Sequence, residues 1–188
     1  VDVKVLGDDG SGYGLAEALE WCIQNRNRNW GSATGIDVVN LSLSGTDESD
    51  GNDCACEIVN AAVAAGIIVV ASAGNDGDCG YLPAPAAADG ALTVGATDVQ
   101  DPGNPDDDIL AAFSNEGPRY DDQDIDPADE MKPDVVAPGV GIISSYGSPL
   151  TDGFGYRSLS GTSMSAAFVS GLAALFREEV PALTPAGF

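Results

Sequence analysis

Two short runs, residues 36–43 and 67–72, are largely apolar and β-branched, the second almost without a break. A strand with one wet face alternates apolar and polar residues; one that does not alternate must be covered on both faces. Both runs are too short for helices, and Gly35, Gly45 and Gly66 punctuate them. Helical patterns lie around them. Leu15–Gln24 places Leu15, Leu19 and Cys22 on one face. Residues 56–65 read as a second helix, stopped by Gly66 as a left-handed cap. Residues 162–179 read as a third, with Gly171 inside it and Pro181 just beyond. Further strands are expected at residues 1–6, 92–96, 134–137 and 141–145, with a loop over 7–14. Buried strands alternating with helices predict an α/β fold of three layers around a mainly parallel central sheet. The 188 residues suit one domain, with the Asp/Pro-rich stretches at 101–108 and 121–130 as surface insertions. In such sheets ligands bind beyond the carboxyl ends of the strands. Here those ends are residues 40–45 and 71–77.

Charge narrows the function. There are 30 acidic against 7 basic residues, for a formal net charge of −23. Nucleic acids and anionic membranes both demand a basic face, so neither is an expected partner. Such a surface suits an extracellular or salt-adapted protein, because salt screens its self-repulsion. The chain contains no histidine, so within these residues there is no histidine base, no Ser-His-Asp triad and no His-ligated metal.

Two segments carry candidate chemistry. Ser160-Gly161-Thr162-Ser163-Met164 opens an apolar helix. There Gly161 permits close approach of a substrate, and Ser163 sits where free N–H groups and the positive helix end favour an oxyanion. Taken alone, Thr162 or Ser163 reads first as a plain helix cap. Ser72-Ala73-Gly74-Asn75-Asp76-Gly77 follows a buried strand and puts the Asn75 amide at the active edge of the sheet, where it could donate to a tetrahedral oxyanion. Alone, it is an Asn-Asp-Gly turn.

Together with further segments these pieces identify the chain as resembling the subtilisin-like serine proteases. The matching segments run in family order: Val3-Lys4-Val5-Leu6-Gly7, Val39-Asn40-Leu41-Ser42-Leu43, Val69-Val70-Ala71-Ser72-Ala73-Gly74-Asn75, Thr93-Val94-Gly95-Ala96, Phe113-Ser114-Asn115-Glu116-Gly117-Pro118, Lys132-Pro133-Asp134-Val135-Val136-Ala137-Pro138-Gly139 and Gly161-Thr162-Ser163-Met164. The resemblance implies a serine endopeptidase, with Ser163 as nucleophile and Asn75, aided by the Ser163 amide, as oxyanion donor. It implies that Ser42, Leu43, Ser44 and Gly45 form one wall of the primary specificity pocket and Ala71, Ser72, Ala73 and Gly74 the other. The first wall would bind extended protein or peptide substrates as an added strand. Small residues on both walls suggest a roomy pocket. Asp47, Glu48, Asp76 and Asp78 read as solvated charge rather than as selectors of a basic side chain.

The departures from the family pattern matter as much. The family's aspartate and histidine motifs lie upstream of the Val3-Lys4-Val5-Leu6-Gly7 strand, so the chain reads as the serine-bearing part of a catalytic domain, cut at its amino end and early at its carboxyl end. The triad Asp and His would come from outside, for instance on an N-terminal companion chain. Lys4 as a substitute base is disfavoured, because the family places that strand away from the serine. Ala167-Phe168 stands where the family usually has Pro-His, a change that suits a helix. The alternative reading is an inactive pseudoprotease or peptide-binding module. A secreted location would favour a disulfide among Cys22, Cys54, Cys56 and Cys79, with Cys54 or Cys56 joined to Cys79. A four-cysteine zinc site lacks paired Cys-x-x-Cys spacing. Structural calcium is implied at carbonyl oxygens of loop 81–89; the run Asp122, Asp124, Asp126 fails the EF-hand pattern at Pro127 but could hold calcium locally.

Overall fold

The computed structural model describes residues 5, 14–31, 35–77, 79–120, 123, 130–148 and 153–187. Most of the expected first strand, Lys4, Asp78 and Asp122, Asp124 and Asp126 lie outside the described residues.

The elements are α1 (Leu15–Gln24), β1 (Val38–Leu41), α2 (Cys54–Ala64), β2 (Ile68–Ser72), β3 (Leu92–Asp98), β4 (Ile109–Leu110), β5 (Val135–Pro138), β6 (Ile142–Ser148), β7 (Gly153–Leu159) and α3 (Thr162–Glu179). Strands β1, β2, β3 and β5 form a parallel sheet, with Leu41 opposite Ala71, Ser72 opposite Val94 and Ala96 opposite Ala137. β4 adds a short antiparallel pairing at Thr97 and Asp98. β2 is buried along its whole length, and its alternate residues serve opposite layers. Val69 and Ala71 pack with Leu19 of α1 and Val59 and Ala62 of α2. Ile68 and Val70 pack with Val94 and with Ala166, Val169 and Ala173 of α3. The unbroken apolar run therefore has its physical cause: one strand feeds two cores. This is the three-layer α/β arrangement expected from the sequence.

Three expectations need correction. The second helix begins at Cys54, two residues early, because Asp53 caps it by accepting from Ala55 N at 3.0 Å and Cys56 N at 3.1 Å. The strand expected at 141–145 is one arm of a hairpin: β6 pairs antiparallel with β7 in a separate two-stranded sheet. The expected disulfide is not formed; all four cysteines are free. Cys56 is fully buried with its sulfur 3.7 Å from Ser49 Oγ, whereas Cys54 and Cys79 are exposed. The buried Cys56 thiol is engaged instead by Ser49 and the Asp53 carboxylate.

Burial alone would raise the Asp53 pKa, but hydrogen bonds from Ser49, Cys56 and Ala55 outweigh it and hold the carboxyl below its usual range. Its contribution is therefore full above the unfolded-state carboxylate pKa and is lost as pH falls through the folded value. Asp53→Ala should cost about 1 kcal/mol near neutrality and progressively less in acid, read by urea unfolding at a series of pH values. Burial above all, with the Asp53 charge adding, pushes the Cys56 thiol up to about 12, and burial also raises that of Cys22. Iodoacetamide should thus modify Cys54 and Cys79 in the native chain and reach Cys22 and Cys56 only after unfolding; intact mass reports the count. A native Cys79 that resists alkylation would reinstate the disulfide.

Candidate active site

The site forms where the carboxyl ends of β1 and β2 meet the amino end of α3. The turn after β2 is tight: Gly74 has φ 109°, a conformation favoured by glycine, and an added Cβ would collide with the Asn115 amide. Asn115 is fully buried and anchors the turn. Its Oδ1 accepts from Asp76 N at 2.8 Å and Gly77 N at 3.0 Å, while its Nδ2 donates to Asp76 Oδ2 at 3.3 Å. Asn75, exposed at the tip, is thereby presented on a fixed backbone.

Thr162 fixes the Asn75 side chain. The Asn75 Oδ1 accepts from Thr162 N at 2.8 Å and lies 3.1 Å from the Thr162 hydroxyl. With its oxygen committed to the helix start, the amide must aim Nδ2, its two-proton end, the other way. Thr162 is itself fully buried, and its hydroxyl accepts from Gly74 N at 3.2 Å. One residue thus ties the helix, the turn and the amide together.

Gly161 is the N-cap of α3 and no side chain caps it, so the reading of Thr162 or Ser163 as a cap fails. Ser165, fully buried, donates to Ala137 O at 2.9 Å and pins the first turn onto β5. Ser163 is only half-buried. Its hydroxyl makes a 3.5 Å approach to Ser42 O, too long to hold it. Its backbone N–H lies in the first helical turn, where no intrahelical acceptor exists. Ser42 Oγ donates to Ser163 O at 2.9 Å and accepts from Asn40 Nδ2 at 2.9 Å, so the end of β1 is stitched to the serine.

The structure brings Ser163, Asn75 and Ser42 to one edge. Leu43, Ser44 and Gly45 continue past β1, and Gly45 N donates to Ala84 O at 2.7 Å. Ala71, Ser72, Ala73 and Gly74 are buried at the end of β2, with Ser72 Oγ donating to Leu41 O at 3.4 Å. A cavity of about 660 Å³ runs between α1 and β1; it reaches Ser42 and Leu43, but neither Ser163 nor Asn75 lines it. Sequence reasoning gave no role to Thr162 beyond capping and none to Asn115. Their partners lie 87 and 39 residues away, so no local signal could have found them.

This arrangement has close counterparts. The model of the subtilase family matches residues 1–187. Serine protease AprX of Bacillus subtilis (strain 168) is 36% identical over 200 residues, covering 98% of this chain and 43% of that protein. Subtilisin DY of Bacillus licheniformis is 34% identical over 187 residues, covering 97% of this chain and 55% of that protein. Among solved structures, sphericase superposes with a TM-score of 0.76 at 31% identity, over 98% of this chain and 56% of that one. The chain thus spans about half, or less, of the relatives it matches. A family match over nearly every residue, joined to a shared fold, leaves one assignment: the chain belongs to the subtilase family.

Proposed function

We propose that the chain is the nucleophile-bearing part of a subtilisin-like serine endopeptidase. The observation that carries this is the Asn75 amide, locked by Thr162 beside the helix turn that presents a loosely held Ser163 hydroxyl. Ser163 Oγ attacks the carbonyl carbon of the scissile peptide, and a base takes the hydroxyl proton. The carbonyl oxygen becomes an oxyanion, met by Asn75 Nδ2 and the Ser163 N–H. Collapse breaks the C–N bond, and the departing amine receives the proton from the base. Water then hydrolyses the acyl-serine by the same steps in reverse order. Segments 42–45 and 71–74 flank the cleft and receive the extended substrate.

The base and its orienting carboxylate come from a histidine and an aspartate outside these 188 residues, which contain no histidine. The net charge of −23 supports a secreted, salt-tolerant enzyme acting on proteins or peptides. Among the described residues no helix is long and apolar enough to cross a membrane.

The test is casein hydrolysis by two samples, the full-length native protein and the 188-residue chain. The full-length protein should cleave casein. The chain alone should fall short by about 10⁶ in turnover, a figure drawn from removal of the base histidine in subtilisin, itself a member of this family. A full-length protein that binds peptides without cleaving them would leave the peptide-binding reading in its place.

A further inference from the structure

The family resemblance implies calcium on carbonyl oxygens of loop 81–89, and the loop does close on a cation. That cation is a side chain. Lys132 Nζ donates to Ala91 O at 2.7 Å and to the Asp134 carboxylate at 2.9 and 3.2 Å, and lies 3.5 Å from Asp89 O. The ammonium's protons thus go to the Ala91 carbonyl and to both oxygens of the Asp134 carboxylate, with Asp89 O at longer range. The lysine side chain is only 3% exposed.

Neither the carboxylate nor the loop depends on an ion for its position. Asp134 Oδ2 also accepts from Thr93 N at 2.7 Å, so β3 holds it. Five of the loop's other carbonyls are engaged within the protein: Leu82 O by Ser49 N, Ala84 O by Gly45 N, Pro85 O by Ala88 N, Ala86 O by Thr93 Oγ1 and Ala88 O by Ala91 N. Calcium needs six to eight oxygens around a clear centre, and here an ammonium fills the centre. A second cation completes the anchorage. The Arg119 side chain, fully buried, pairs with Asp89 at 2.8 Å and donates to Asp50 O. Two of only seven basic residues in a chain of charge −23 are thus buried against one loop.

We infer that the Lys132 ammonium is a built-in replacement for calcium, locking residues 86–91 between β3 and β5. Stability at this place is then independent of calcium and dependent on the charge of residue 132. Through Ala84 O and Leu82 O the same loop braces Gly45 and Ser49, so the lock supports the wall beside the candidate site.

These residues hold two lysines, Lys4 and Lys132, and in ¹⁵N-lysine-labelled full-length protein the Lys132 ammonium signal is the one lost in Lys132→Arg. The Lys132 signal should exchange slowly with water and stay fixed as calcium is raised to millimolar levels. In parallel, Lys132→Glu replaces the ammonium by two oxygens. In chelator it should melt about 10 °C below the parent, since a buried charge pair is broken. Calcium should then raise its melting temperature by several degrees more than it raises that of the parent. A Lys132 signal that moves or vanishes on adding calcium overturns the inference, as does an equal calcium response in the two proteins. If Lys132→Glu does not fold, the lysine signals of the parent decide the matter alone.

Discussion

Ser163→Ala should lower peptide turnover by the full-length protein by about 10⁶ while leaving its fold intact. The two halves of that expectation rest on the same geometry. The hydroxyl makes no structural hydrogen bond, only a 3.5 Å approach to Ser42 O, so its removal leaves no partner stranded. The residue is half-buried, and alanine is a better helix former than serine. Melting temperature should therefore shift by no more than about 2 °C. Peptide affinity should persist, because the groove segments 42–45 and 71–74 do not use the hydroxyl. Steady-state kinetics and a thermal melt on the same preparation check both halves. A variant that unfolds would reveal a structural serine, and one that retains turnover would exclude it as nucleophile.

Asn75 offers the second large effect, and two substitutions separate its two tasks. Its Nδ2 is the proposed oxyanion donor, while its Oδ1 accepts from Thr162 N at 2.8 Å and sits 3.1 Å from the Thr162 hydroxyl. Asn75→Ala removes both functions. It should lower kcat by about 10²–10³ with little change in KM, and cost about 1–3 kcal/mol of stability by leaving the Thr162 N–H without its acceptor. Asn75→Asp keeps an acceptor for Thr162 but replaces the donor by an anion. Its kcat should fall at least as far as in the alanine variant, with stability largely retained. Kinetics and urea unfolding of the pair resolve the two roles. Equal loss of kcat and stability in both variants would mean that Asn75 acts only as a brace.

The elements legible in the sequence were those whose local signals and tertiary surroundings agree. Helices α1 and α3 match their expected bounds because apolar periodicity starts and stops with them. β2 was legible because burial on both faces leaves an unbroken apolar run. The β6–β7 hairpin is only half legible: residues 155–159 of the second arm are all exposed, Tyr156 at 82%, so burial does not mark that arm. α2 begins two residues before the expected Cys56 because the Asp53 carboxylate sets its start.

For the site, the Gly161-Thr162-Ser163-Met164 and Gly74-Asn75 segments were readable as motifs. What holds them together was not. Thr162 locks an amide 87 residues away, and Lys132 closes on a carbonyl 41 residues away. Such contacts leave no local pattern in the chain. The cysteines show the same limit, since a count of four cannot tell a buried thiol from a bridged one.

The most direct measurement is labelling of the full-length native protein with a fluorophosphonate, followed by peptide mass mapping. The expected result is a single adduct on Ser163, absent from Ser163→Ala and strongly slowed in Asn75→Ala. An active preparation that acquires no adduct, or acquires it at another residue, would contradict the assignment of Ser163 as nucleophile.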